Sequence, residues 1–213
     1  MKLLILGCSH SVGAFNNSAE LYNMDDGWVN NISNRYEYDV DCISHLGGGS
    51  FNYIVTVGML KDIINSYDKI IIQYTDEPRL TFYDIDYISD FPKDLLVYNN
   101  KNLKRYVYSH KKNIGGLNNQ TGNLYFHQHN LAKNFNKNSY LKTSIESHKN
   151  NLKNIFENKL YTFEWNDIKV KMNNMYGKHT YEKIVNSVDG QHLDGYGNKL
   201  IFELIEPDLD NFL

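Results

Sequence analysis

Proline, cysteine and long apolar runs are all scarce in this chain, and each shortage narrows what it can be. Three prolines in 213 residues leave no Pro-rich linker to divide it into domains. Two cysteines, Cys8 and Cys42, are too few for the disulfide framework on which small secreted domains rest. They read as free buried thiols of a reducing compartment. No stretch reaches the roughly 20 apolar residues needed to cross a bilayer, so no membrane span is expected. The start, Met1-Lys2-Leu3-Leu4-Ile5-Leu6-Gly7-Cys8, imitates an export signal or lipoprotein box, but its apolar run is too short for either, and a cytoplasmic location is the expectation. Charge of one sign is lacking too. With 22 Lys and Arg against 25 Asp and Glu, the net charge of −3 gives no electrostatic reason to expect nucleic acid.

What is present is enough apolar sequence for one sizeable core. At 41% hydrophobic residues and with no repeat, residues 1–213 read as a single domain. Lys2-Leu3-Leu4-Ile5-Leu6 and Lys69-Ile70-Ile71-Ile72 are short and continuously apolar, as strands buried on both faces of a parallel sheet are. Tyr38 to Ile43 and Leu160 to Trp165 read as two further strands. Apolar residues recur at helical spacing in Phe51 to about Ser66, in Ser139 to about Asn158, and from Gly195 to Ile205. This alternation predicts an α/β fold, a three-layer α/β/α sandwich around a flavodoxin-like parallel sheet.

Chemistry concentrates at two places. Strand one stops at Gly7-Cys8-Ser9-His10-Ser11, which puts Ser9 at the carboxyl end of a parallel strand, the edge where ligands bind in open α/β sheets. Near the other end, Val188-Asp189-Gly190-Gln191-His192 sets a carboxylate three residues before an imidazole. Asp189 can accept the Nδ1 proton of His192 and leave Nε2 to take the proton of a serine hydroxyl.

In that order, Ser9 followed by Asp189-x-x-His192 resembles the SGNH hydrolases, also called the GDSL family. The resemblance runs along most of the chain. It implies Ser9 as nucleophile, His192 as base and then acid, and Asp189 as the group that orients the imidazole. The family's second block supplies a glycine amide to the oxyanion after strand two, matched here by Gly49 of Gly47-Gly48-Gly49-Ser50, with Gly48 the next candidate. Two blocks depart from the pattern. Cys8 stands where the first block usually has aspartate. The third block's Gly-x-Asn-Asp is replaced by Gln73-Tyr74-Thr75-Asp76, so Thr75 occupies the place of the asparagine that donates to the oxyanion. Loss of one such donor costs about 100- to 1000-fold in rate. Gln73 and Arg79 are the candidates to compensate as substrate-binding groups, with an ion pair to Asp76 or Glu77 as the structural alternative for Arg79.

The resemblance implies no metal and no cofactor. His127-Gln128-His129, with His110 or His179, offers imidazoles without a Cys or carboxylate to complete a ligand set, and reads as loop histidines. An insertion of about residues 80–138 follows strand three. It contains an expected β-hairpin, Leu95 to Tyr98 and Leu103 to Tyr108 around Asn99-Asn100-Lys101-Asn102, placed as a lid or sugar platform. Tyr83, Tyr87, Tyr98, Tyr106 and Tyr108 are its candidate sugar-stacking residues. The functional expectation is a serine esterase acting on a small-molecule or glycan ester, with an O-acetylated carbohydrate the favoured case. Two alternatives stand beside it: a catalytically degenerate scaffold that binds or builds, suited to a virion-associated phage protein, and an O-acyltransferase using the same triad. Oligomeric state is not legible in the sequence.

Overall fold

The structure is a computed structural model. It describes residues 1–11, 13–15, 21–23, 25–45, 53, 57, 60, 63–74, 96–100, 102–108, 139–184 and 193–213. In chain order the strands are β1 (Lys2–Cys8), β2 (Ala14–Phe15), β3 (Leu21–Asn23), β4 (Asp39–His45), β5 (Lys69–Tyr74), β6 (Leu96–Asn100), β7 (Leu103–Tyr108) and β8 (Leu160–Glu164). The helices are α1 (Trp28–Tyr36), α2 (Ser139–Phe156), α3 (Trp165–Tyr176), α4 (Thr180–Ile184) and α5 (Gly195–Phe212).

Six strands form one sheet in the order β6-β7-β4-β1-β5-β8. Five of them, β7, β4, β1, β5 and β8, run parallel, and β6 is the antiparallel edge. The run β4-β1-β5-β8 is the flavodoxin-like order expected from the sequence. The continuous apolar character of β1 has its physical reason here: Leu3, Leu4, Ile5 and Leu6 are all fully buried, because β4 and β5 flank the strand and helices cover both faces. On one face Leu3, Ile5, Val40, Cys42, Ile71 and Phe163 meet Trp28, Val29 and Ile32 of α1, Ile168 and Met172 of α3, and Leu200, Ile201, Leu204 and Leu209 of α5. On the other, Leu4, Leu6, Ile43, Ile70 and Ile72 meet Tyr53, Leu60, Ile64 and Tyr67, and Leu152 and Phe156 of α2. These are the three layers.

The hairpin forms, and its place is the edge of the sheet. β7 lies parallel to β4, Val40 opposite Leu103 and Cys42 opposite Arg105, and so covers backbone groups that β4 would otherwise leave open at the edge. The strands run through Asn100, which shortens the connection to residues 101–102. Tyr106 packs against the second core, where burial and the Asp41 carboxylate raise its phenol pKa. Tyr83 and Tyr87 lie outside the described residues, as does most of the helix expected from Phe51, of which Tyr53 and Val57 are helical.

Asp41 faces the second core and is satisfied there. It accepts from the Tyr67 hydroxyl at 2.7 Å and pairs with Lys2 at 3.5 Å, the compensation a carboxylate needs in such a place. Trp165, expected to end β8, instead starts α3.

Both cysteines are buried, and neither forms a disulfide. In β1 the side chain of Cys8 follows Leu4 and Leu6 by strand alternation, whereas Cys42 belongs with Leu3 and Ile5 on the opposite face. The sheet itself separates them. Burial pushes the Cys42 thiol up to about 11, against partial relief from Ser44 and Arg105. Its native state therefore favours the protonated form, a stabilisation present below the ordinary thiol pKa and lost as pH rises toward 11. Cys42 is expected to react with a thiol-directed disulfide reagent at pH 8 at least 100-fold more slowly in the native chain than in denaturant. Equal rates, followed by mass spectrometry of the Cys42 peptide, would show the thiol to be accessible.

Candidate functional site

The sheet's chain order reverses at β1, with β4 on one side and β5 on the other. The carboxyl ends of β1 and β5 thus flank a topological switch point, the usual crevice of such folds. A short 3-10 turn, Ser9–Ser11, follows β1 at this edge.

Three contacts hold the turn from below. The Ser11 hydroxyl donates to Gln73 Oε1 at 2.5 Å. The Ser11 carbonyl accepts from the Cys42 thiol at 3.9 Å. Gly7 leaves the space into which the Ser11 side chain folds, since a Cβ there would overlap it. Gly7 is therefore glycine for close approach. Gln73 is fully buried, and its Nε2 has no hydrogen-bond partner among the described residues.

His10 reaches sideways from the turn. Its ring stacks on Trp165, centroids 4.0 Å apart and planes 14° from parallel. Trp165, directly after β8, donates its indole N–H to the Tyr181 hydroxyl at 2.8 Å. The turn after β1 is thereby braced, across the end of β5, by the start of α3 and by α4.

The segment that follows His192 is fixed as firmly. Asp194 caps α5, its Oδ1 accepting from the Gly197 N–H at 2.8 Å. Gly197 lies against Leu193, and Gly195 against Asp26. Asn198, only 1% exposed, accepts at Oδ1 from the Trp28 N–H at 3.3 Å. Its Nδ2 donates to the carbonyls of Asp194 at 2.9 Å, Leu193 at 3.4 Å and Gly13 at 3.4 Å. The last of these spans 185 residues of sequence.

Among the described residues two cations are buried in the sheet's layers. Arg105 of β7 is 2% exposed; burial lowers its pKa, and Cys42 and Asp25 act in the opposite direction. Lys149 of α2 bonds Glu164 at 2.6 Å and Glu146 at 3.1 Å, with its ammonium 4.7 Å from the centroid of the Tyr74 ring. Burial acts to lower the Lys149 pKa, but the two carboxylates outweigh it and the net direction is upward.

Of the residues singled out in the sequence, Ser9 opens the turn at the sheet's carboxyl edge and Gln73 lies buried beneath that turn. Gly48, Gly49, Thr75, Arg79, Asp189 and His192 fall outside the described residues, as do His110, His127 and His129. His179 is exposed in the turn before α4, at φ 66°. Among the described residues no group of three or more His, Cys, Asp or Glu could hold a metal ion, and no helix is long and apolar enough to cross a membrane.

Sequence reasoning missed Ser11, Asn198 and Arg105. Asn198 and Arg105 carry the same signal, a polar residue on a face that is otherwise apolar: Asn198 three and seven positions before Ile201 and Ile205, and Arg105 two after Leu103. Ser11, in the polar run Ser9-His10-Ser11, carries no such signal. Fold and edge together define a doubly wound α/β protein with a braced serine turn at its switch point. No protein-family model matches the chain, and no curated protein or solved structure shows significant similarity to it.

Proposed function

We propose that the chain is a serine ester hydrolase of the SGNH type, with an O-acetylated glycan or a related acyl ester as substrate. The observation that carries this reading is the Asn198 side chain, whose amide bonds both to Gly13, four residues beyond Ser9, and to Leu193, next to His192. Gly13 and Leu193, which neighbour the two halves of the motif in sequence, are joined through that amide, which supports the pairing of those halves.

In this reading Ser9 Oγ attacks the acyl carbonyl while His192 Nε2 takes its proton and Asp189 steadies the resulting imidazolium. The amides of Ser9 and Gly49 and the Thr75 hydroxyl stabilise the oxyanion. Collapse expels the alcohol, which takes the proton from His192. Water, deprotonated by the same imidazole, then releases the acid and restores Ser9. The reaction requires no cofactor.

Intact mass after exposure to a fluorophosphonate tests the proposal. One adduct is expected on the wild type and none on Ser9→Ala. A wild type that stays unlabelled beside a labelled control hydrolase overturns the enzyme reading and favours a binding or structural role, which Thr75 in place of the family's asparagine already supports. Transfer of acetyl to an added sugar, in place of release of acetate, would redirect the proposal to acyl transfer.

A further inference from the structure

An asparagine amide has two N–H hydrogens and one carbonyl oxygen to satisfy, and burial makes each of them costly to leave unmade. Asn198 spends its donors and its acceptor on different parts of the chain. The donors go to Gly13, beyond the turn that begins at Ser9, and to Leu193 and Asp194, just after His192. The acceptor goes to the Trp28 N–H, one of the amide groups at the start of α1 that lack a partner within the helix.

From this division we infer that Asn198 is a positioning residue, whose Nδ2 sets the spacing between the nucleophile turn and the histidine segment. The inference rests on the serine hydrolase reading for its catalytic consequence, but the tether itself does not. Three features favour a tether over a simple helix cap. Asp194 already caps α5 through Gly197, so Asn198 is not needed for that task. Its side chain is among the least exposed polar groups of the described residues, so water does not compete for its hydrogens. Its donors also reach segments from the two ends of the chain, which no bond within α5 could do. Since reacting groups about 1 Å out of place lose about 100-fold in rate, a loosened tether acts on rate well before it acts on the fold.

Two variants separate the donor from the acceptor. Asn198→Asp keeps the acceptor toward Trp28 and replaces the donor by an oxygen that faces three carbonyls. Asn198→Leu removes both. Hydrogen exchange, read by mass spectrometry, is expected to rise at least tenfold in residues 9–15 and 193–198 together in Asn198→Asp as well as in Asn198→Leu. Fluorophosphonate labelling of the folded protein is expected to slow about 100-fold in both. A role confined to holding α1 would leave Asn198→Asp like the wild type in both measurements, and that result overturns the inference.

Should the variants not fold, wild-type exchange in rising sub-denaturing urea decides it. Residues 13–15 and 193–198 are expected to open as one unit, with a common dependence on urea. Separate openings refute the tether. A wild type that takes no fluorophosphonate adduct defeats the hydrolase reading and leaves the tether to the exchange result. A labelled wild type with Asn198→Asp labelled equally fast defeats the positioning role alone.

Discussion

Trp28→Ala is expected to lower the thermal midpoint by roughly 6–20 °C, at about 2–4 °C per kcal/mol for a chain of this size. Trp28 is fully buried and meets Phe163 of β8 edge-on, ring centroids 5.3 Å apart. It begins α1 and packs into the core that joins that helix to β1, β4 and α5. Truncating a buried tryptophan costs about 3–5 kcal/mol in lost transfer free energy and cavity. A domain has only about 5–15 kcal/mol in total. The Trp28 N–H is also the one that Asn198 accepts, so loss of α1 packing should loosen the edge of the sheet where Ser9 sits. Ile155→Ala is the control, because Ile155 is 67% exposed and surface changes of this kind stay within about 0.5 kcal/mol. Melts followed by circular dichroism at 222 nm compare them. Equal midpoints for the two variants would mean that the Trp28 layer carries little of the stability.

His192→Ala is expected to reduce ester hydrolysis about 10⁴- to 10⁶-fold if the proposed function holds, with the melting temperature nearly unchanged. A serine hydroxyl is a weak nucleophile until a base takes its proton, and the same imidazole must protonate the leaving alcohol. Removing either the serine or the histidine of such a unit costs about as much as removing all of it, so Ser9→Ala and the double variant should fall to the same residual rate. Acetate release from an acetylated polysaccharide, measured on all three, checks this. A His192→Ala variant within tenfold of wild type would leave the histidine without the role of base.

Much of the architecture was legible because burial on both faces writes itself into composition. β1 and β5 are runs of Leu and Ile, and α2 and α5 repeat apolar residues at helical spacing. Legibility ended where distant parts of the chain decide. That β7 lies beside β4 depends on which sheet edge was open, and no local pattern in residues 103–108 specifies it. The expected end of α5 at Ile205 falls short for a related reason. Pro207 removes one backbone bond of the helix, but the helix continues to Phe212 because Leu209 is fully buried and Phe212 packs on Tyr161, ring centroids 5.7 Å apart. Tertiary burial outweighs the local penalty. At the site, the apolar strand and the small-residue turn after it announced Ser9, since such a sequence is a local event. Gly7 does not stop the strand, however: β1 runs through it to Cys8, and its glycine makes room for Ser11. Ser11 on Gln73 and Asn198 on Gly13 are contacts between segments 62 and 185 residues apart, and a single sequence holds no trace of such pairings beyond a polar residue in an apolar row.

The 185 residues between Gly13 and Asn198 also measure time. At about 5–20 residues per second, a ribosome takes roughly 10–40 s to reach Asn198 after making Gly13. During synthesis the serine turn therefore waits without the side chain that ties it to the histidine segment. If the proposed function holds, a nascent chain would be chemically silent until almost all of it has emerged, and reactivity would begin with the docking of α5.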